Sequence, residues 1–357
     1  MKVNELITLN KAIRTNCEYT DKNLLYGIQD NNKIFFNTTG CKFSQLGLCI
    51  MCDYGKCKTP INLERLEKAL TEIFSKFKKD ETINYILFGA NGSIFDKDEF
   101  PEECFNFLLS FLQQYRIRHI CFESYYTTIN ASVLRTIKQQ LPNSSIEIEL
   151  GFESSNKEVR QNCFLKFIDN DLFKDKIKLI KSFGYECSVN ILLGAPFLTL
   201  DEQIADVINS IIWAIDNGAD NAIVFPLIIK KNTLLYNLYQ NNLITQSYLY
   251  SLLEILKRLP DKYVNHVIFS WFNQTTKTDS TNNDMILPLT CKDCEKALTN
   301  WLNEFNKSKQ NKLKFIKQGF PIQSCSCGEE FLESLNIKDN RPIKTRIEDI
   351  SIEKLKI

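Results

Sequence analysis

From residue 33 onward the chain repeats one pattern: a short β-branched or aromatic run, a polar turn, then a segment whose apolar positions recur at helical spacing. The runs predict strands over 33–38, 85–88, 119–123, 146–151, 188–193 and 222–225. The intervening segments predict helices over 61–78, 101–115, 129–140, 172–183 and 201–217, with Asp201 as an N-cap and Gly184 as a C-terminal stop. Strands alternating with helices in this way give an α/β class of parallel strands. Six βα units are fewer than the eight of a closed barrel, so the expected architecture is an open, partial (βα)6 TIM-like barrel with its chemistry at the carboxyl ends of the strands. Beyond it, 232–258 reads as one or two helices and 261–289 as a strand followed by a Thr- and Asn-rich loop. Residues 290–335 read as a small cysteine-bounded helical segment, and the charged 338–357 as a strand or tail. The organisation expected is an N-terminal extension (1–32), the barrel (33–230) and a C-terminal substrate- or metal-binding region (231–357).

Composition narrows the function classes. Lys and Arg total 44 against 43 Asp and Glu, so a net charge of +1 supplies no overall field toward nucleic acid or a membrane, and any polyanion must be met by a local patch. Runs such as Lys76-Phe77-Lys78-Lys79 and 307–314 are candidates for one, with solvated helix faces as the equal alternative. The N-terminal sequence lacks the apolar core of a secretion signal, and no stretch of about 18 apolar residues occurs, so a cytoplasmic protein with no membrane segment is expected. Thirteen cysteines, nine before residue 200 and four after 290, do not match a secreted disulfide scaffold. In a reducing compartment such clusters point to metal.

The first cluster follows the first strand directly: Gly40-Cys41, then Cys49-Ile50-Met51-Cys52, a C-x7-C-x2-C loop with glycines at 40, 47 and 55. Three thiolates can hold a four-iron cluster while leaving one iron open, and an open iron can chelate the amino and carboxylate groups of S-adenosylmethionine (SAM). Buried structural thiols or zinc are the competing readings, with Cys57 as a fourth zinc ligand, a spare thiol or a replacement for Cys41. Four strand ends lie downstream: Gly89-Ala90-Asn91-Gly92, Glu123-Ser124, Glu153-Ser154 and Asn190-Ile191-Leu192. Arg160 and Lys166 follow the fourth strand, as functional groups or as surface charges.

The cysteine loop and these strand ends, in this order, resemble the radical SAM superfamily. The usual C-x3-C-x2-C spacing is stretched here, and Met51 holds the position of an aromatic residue. That stretched gap resembles the archaeosine synthase radical SAM subunits, relatives of the Elongator catalytic subunit. So do 231–240 and the carboxyl region from Thr290 to Cys327, whereas 243–250 departs from them. The resemblance implies a [4Fe-4S] cluster on Cys41, Cys49 and Cys52. It implies SAM held by Gly89, Ala90, Asn91, Gly92, Glu123, Glu153, Ser154, Asn190 and Leu192. Its activity would be reductive cleavage of SAM to a 5'-deoxyadenosyl radical, used to cleave a C–N bond of a lysine-modified 7-deazaguanine in tRNA. The implied partners are an electron donor of flavodoxin or ferredoxin type, tRNA, and a nucleoside-modifying partner enzyme. The same engine acting on a small molecule or peptide, and a non-catalytic zinc module, are the alternatives.

The second cluster, Cys291-x2-Cys294 and Cys325-x-Cys327, frames a helix from about 295 to 308. Four thiols in two close pairs suit structural zinc, with a second iron-sulfur cluster or four unligated thiols as the alternatives. Two histidines in the whole chain leave acid-base work to Glu, Lys, Tyr or Cys.

Overall fold

The computed structural model describes residues 1–15, 25–29, 33–52, 61–78, 81–272, 285–321 and 325–350, with no side-chain statement for 14–15 and 25–29. Its strands are β1 (Leu25–Gln29), β2 (Lys33–Phe36), β3 (Thr82–Ile83), β4 (Ile86–Ala90), β5 (Arg116–Ile117), β6 (His119–Ser124), β7 (Ser145–Glu153), β8 (Glu186–Leu193), β9 (Asn221–Pro226) and β10 (Val267–Phe269). Eight of them form one sheet in the order β1-β2-β4-β6-β7-β8-β9-β10, and β3 pairs with β5 alone. All six expected strands are present. Strand β10 pairs parallel to β9 and makes seven parallel strands, while β1 is antiparallel to β2. The two edge strands do not pair, so the sheet is curved but open, a partial barrel.

Period-two alternation divides the strands into two faces. Ile34, Phe36, Ile86, Phe88, Ile120, Phe122, Ile148, Leu150, Val189 and Ile191 join the core shared with the helices. The other parity points into the barrel: Lys33, Phe35, Leu87, Glu123, Glu147, Glu149, Asn221 and Ile223 line its interior. A parallel strand covered by helices on one side is normally apolar on both faces, so the polar residues mark a space to be filled.

The expected helices are Leu63–Phe74, Glu102–Leu112, Ala131–Gln140, Asn170–Ser182 and Leu200–Asp216. Gly184 has a positive φ of 80° and its N–H closes onto Lys181 O, as a helix stop requires. Asp201 is not an N-cap. Thr199 caps that helix in a capping box with Glu202, and Asp201 pairs with Arg258 and Lys338, because the helix begins one turn position earlier than the apolar pattern does. Two helices occupy 232–258 (Leu234–Gln240 and Tyr250–Arg258), and the charged C-terminal stretch contains a helix, Ile343–Glu348, instead of a strand or tail. Arg346 on it forms a bidentate pair with Glu202 at 2.6 and 2.8 Å, which docks the stretch on the barrel. No helix among the described residues is long and apolar enough to cross a membrane.

Candidate functional site

The cysteine loop leaves β2 at the carboxyl end of the sheet, where parallel strands expose their chain reversals. Several unrelated segments hold it. Asn10, buried on the N-terminal helix Val3–Thr15, donates to Gly47 O at 2.8 Å and Leu48 O at 3.3 Å. A side chain at Gly47 would meet Ile7 O at 2.5 Å, so the loop and this helix pack backbone to backbone. Cys49 is in the left-handed region at φ 58°, a conformation that costs a non-glycine residue about 1 kcal/mol or more. Its N–H donates to Leu165 O at 3.3 Å and Ile50 N–H to Phe164 O at 3.2 Å, and these bonds hold the strained turn.

Cys41, Cys49 and Cys52 line one cavity of about 240 Å³. Among the described residues, the groups of metal-ligating side chains with all ligand atoms within 4.8 Å of one another do not include this trio. Burial pushes the Cys49 thiol up to about 12, against the pull of nearby Lys166. Burial also raises the Cys41 thiol, although Tyr125 Oη donates to its sulfur at 2.6 Å. Such thiols stay protonated unless a metal displaces the proton, and soft sulfur is the donor set that iron-sulfur clusters take. Cys57 lies outside the described residues.

The strand ends meet the cysteines around the same cavity. Ala90, Asn91 and Gly92 line it from β4, Glu123 from β6, Glu153 from β7, and Asn190 and Leu192 from β8. Gly89 lies beneath: a Cβ there would strike the Phe35 ring at 2.6 Å and Glu123 Oε2 at 2.8 Å. Ser154 turns away, donating to Asp206 Oδ1 at 2.8 Å and accepting from Asn156 N–H at 3.0 Å, so the structure places it beneath the strand end instead of on the cavity wall. A bulge between Gly151 and Glu153, with Glu153 at φ 71°, turns the Glu153 carboxylate onto Lys166. Lys166 also donates to Gly151 O at 3.1 Å and lines the cavity, and Arg160 is fully buried, donating to Ser154 O, Ile168 O and Asn170 Oδ1. Neither is a surface charge.

Some residues at the site carried no signal in the sequence reading. Glu99 accepts from Ser93 N–H at 2.7 Å and Lys42 N–H at 2.8 Å, joining the turn after β4 to the cysteine loop. Tyr125 and Asn10 act on the loop from a distance in sequence that periodicity does not reach. The interior Glu147 and Glu149 were detectable in principle, since Ile146-Glu147-Ile148-Glu149-Leu150 alternates inside a strand expected to be apolar.

At the other cluster, Cys291, Cys294, Cys325 and Cys327 bring their sulfurs within 4.8 Å of one another. Cys294 to Cys325 and Cys325 to Cys327 are 3.1 Å, and Tyr250 Oη donates to Cys294 Sγ at 3.2 Å. Cys291 and Cys325 each begin a helix, Lys292–Lys307 and Ser326–Leu335, so two helix N-termini face the sulfurs. Hydrogen bonds from Cys327, Cys294 and the Gly328 backbone pull the Cys325 thiol down to about 6. The donor set and its closeness fit one tetrahedral ion. In the nearby basic run Lys312 is buried and donates to Val267 O at 2.5 Å, while Lys309, Lys314 and Lys307, the last paired with Glu304, are exposed.

No family model matches the chain. An uncharacterized protein of Methanocaldococcus jannaschii is 27% identical over 240 residues, 66% of each chain, so the match spans just under two thirds of that relative's length. Archaeosine synthase subunit beta of Methanosarcina acetivorans is 23% identical over 325 residues, 90% of each chain. A spore photoproduct lyase variant, solved with bound AdoMet and dinucleoside spore photoproduct, superposes with a TM-score of 0.50 at 11% identity, covering 75% of this chain and 85% of that one.

Proposed function

We propose that the chain is a radical SAM enzyme of the archaeosine synthase subunit beta kind, which holds a [4Fe-4S] cluster on Cys41, Cys49 and Cys52 and cleaves SAM reductively. The observation that carries this reading is the single cavity walled by those three thiols together with the ends of four successive parallel strands. When bound, the cluster and SAM supply a 5'-deoxyadenosyl radical. The protein's own part is placement and exclusion of water. Ala90, Asn91, Gly92, Glu123, Glu153, Asn190 and Leu192 would contact SAM, with Gly89 letting the strand end lie close over Phe35 and Ser154 bracing the wall from behind. Lys166 keeps a positive charge between Glu153 and Cys49, which favours the thiolate that a metal needs.

The substrate reading is cleavage of a C–N bond in a lysine-modified 7-deazaguanine of tRNA. Its support is the named relative aligned over 90% of both chains. A partner subunit that builds the modified base and an electron donor of flavodoxin or ferredoxin type belong to the same reading, as does the cytoplasm as its location. The four C-terminal sulfurs would hold zinc as a structural ion, tying two helix starts together.

Anaerobic reconstitution with iron and sulfide, followed by reduction in the presence of SAM, tests the enzyme reading. A brown protein that forms 5'-deoxyadenosine supports it, and a colourless one carrying only zinc refutes it. Binding to tRNA that weakens steeply with salt supports the substrate reading, and no binding at low ionic strength refutes it.

A further inference from the structure

The amino ends of the parallel strands, opposite the cysteine loop, carry a third group of metal-ligating side chains. His119 opens β6, Glu186 opens β8, and Glu147 lies on β7 between them, paired in register with Glu186. His119 shares their face of the sheet, since it stands two residues before Cys121, the register partner of Glu147. One ligand atom from each, a ring nitrogen and two carboxylate oxygens, lies within 4.8 Å of the other two. The His119 Nε2 to Glu147 Oε2 distance is 2.9 Å. Residues outside the trio hold it in place. Glu147 is 7% exposed, and its Oε1 accepts from Ser188 Oγ, which itself accepts from Asn221 Nδ2 at 3.2 Å, leaving Oε2 to face the ring. The His119 ring stacks on Tyr85, with centroids 5.4 Å apart and planes at 18°. A salt bridge accounts for His119 and Glu147 alone. Among the described residues no hydrogen bond or ion pair reaches the Glu186 carboxylate, and the neighbouring Lys181 is held by both oxygens of Asp220 at 2.6 Å. Two carboxylates thus share one imidazole, and even a protonated ring leaves an uncompensated negative charge in a half-buried place.

We infer that His119, Glu147 and Glu186 are the ligands of a divalent first-row metal ion, at a site separate from both cysteine groups. A dication balances two carboxylates beside a neutral ring, which a single proton does not. Bonds of about 2.0–2.2 Å to nitrogen and oxygen set edges of about 3.3–3.6 Å between the ligands of a tetrahedral ion. The 2.9 Å edge therefore opens slightly, and the half-exposed Glu186 side chain swings in to complete the set. Ser188 and Asn221 stand behind Glu147 as the outer partners of a ligating carboxylate do, fixing which oxygen faces the metal. One nitrogen and two oxygens suit zinc, iron(II) or manganese(II), and three protein ligands leave a position for water. The ion would tie together the starts of three adjacent strands at the floor of the barrel, whose interior Glu147 also lines. The site does not depend on the reaction proposed above.

The test is titration of Mn2+ into the full-length protein, kept anaerobic with its sulfur-bound metals in place and first dialysed against citrate to remove ions held by nitrogen and oxygen. Free Mn2+ gives a paramagnetic resonance signal that is lost on binding, and manganese avoids thiolates, so neither cysteine group contributes. About one equivalent should bind, and E186Q and H119A should each weaken it by about tenfold or more. Zn2+, which the same donors hold more tightly, should displace it. Mn2+ should also raise the Tm of the parent and not that of E186Q. E186Q alters only a half-exposed strand start, so it decides the matter where H119A, which also loses the Tyr85 contact, folds poorly. No loss of the free signal with about 1 mM Mn2+ overturns the inference, as does equal affinity in the parent and folded E186Q. Full binding by folded H119A, or manganese that zinc does not displace, overturns the ligand set.

Discussion

Replacing Gly92 with alanine tests how the turn after β4 is joined to the cysteine loop. A Cβ at this position would stand 1.9 Å from Glu99 Oε2 and 2.7 Å from its carboxyl carbon, so the carboxylate has to leave. In leaving it gives up the Ser93 N–H at 2.7 Å and the Lys42 N–H at 2.8 Å, the latter adjacent to Cys41. Hydrogen bonds to a charged group contribute roughly 1.5–3 kcal/mol each, and the displaced carboxylate regains part of that from water as it leaves its buried position, so the expected loss is about 3 kcal/mol. Glu99→Ala removes the same two bonds by another route. The pair G92A/E99A should therefore unfold within about 1 kcal/mol of E99A alone, a strongly non-additive cycle. Urea unfolding of the apo-protein under anaerobic conditions reads the energies, and iron bound per chain after reconstitution reads the effect on the cysteine loop. A G92A protein within about 1 kcal/mol of the parent, or a double variant whose loss equals the sum of the singles, would refute the steric link.

Two further outcomes follow from the charges and the sulfurs. Cys294→Ser should abolish bound zinc and lower the Tm while leaving iron at the first loop intact, as elemental analysis would show; zinc retained by the variant contradicts the four-sulfur site. Burial, then Glu147, holds the Glu149 carboxyl at about 7, and burial, then Glu149, holds Glu123 at about 8, with Lys33, Lys166, Glu153, Cys121, Tyr85, His119 and Glu186 as the other ionisable groups around them. Unfolded glutamates titrate near about 4.3, so between there and about 8 the native state binds more protons, and stability falls as pH rises before levelling off. Urea unfolding at pH 5 and pH 8 should show that fall, and E149Q should flatten it and be the more stable protein at pH 8; an equal slope in both rules the argument out.

What the sequence by itself determined was local. The six strands and their helices follow from apolar periodicity, because each element buries a face whose spacing is written within a dozen residues. The loop carrying Cys41, Cys49 and Cys52 was legible for the same reason. Tertiary structure alone decided that this loop is braced by Asn10 and Glu99, that Arg160 is buried and Lys166 half-buried on the cavity wall, and that two distant helix starts bring four sulfurs together. It also decided that Lys33, Glu123, Glu147 and Glu149 look into one space, since only the curvature of a sheet built from separate strands turns their side chains toward a common centre. Periodicity reports which way a side chain leaves its own backbone; what it meets there depends on strands that are neighbours in space and far apart in the chain.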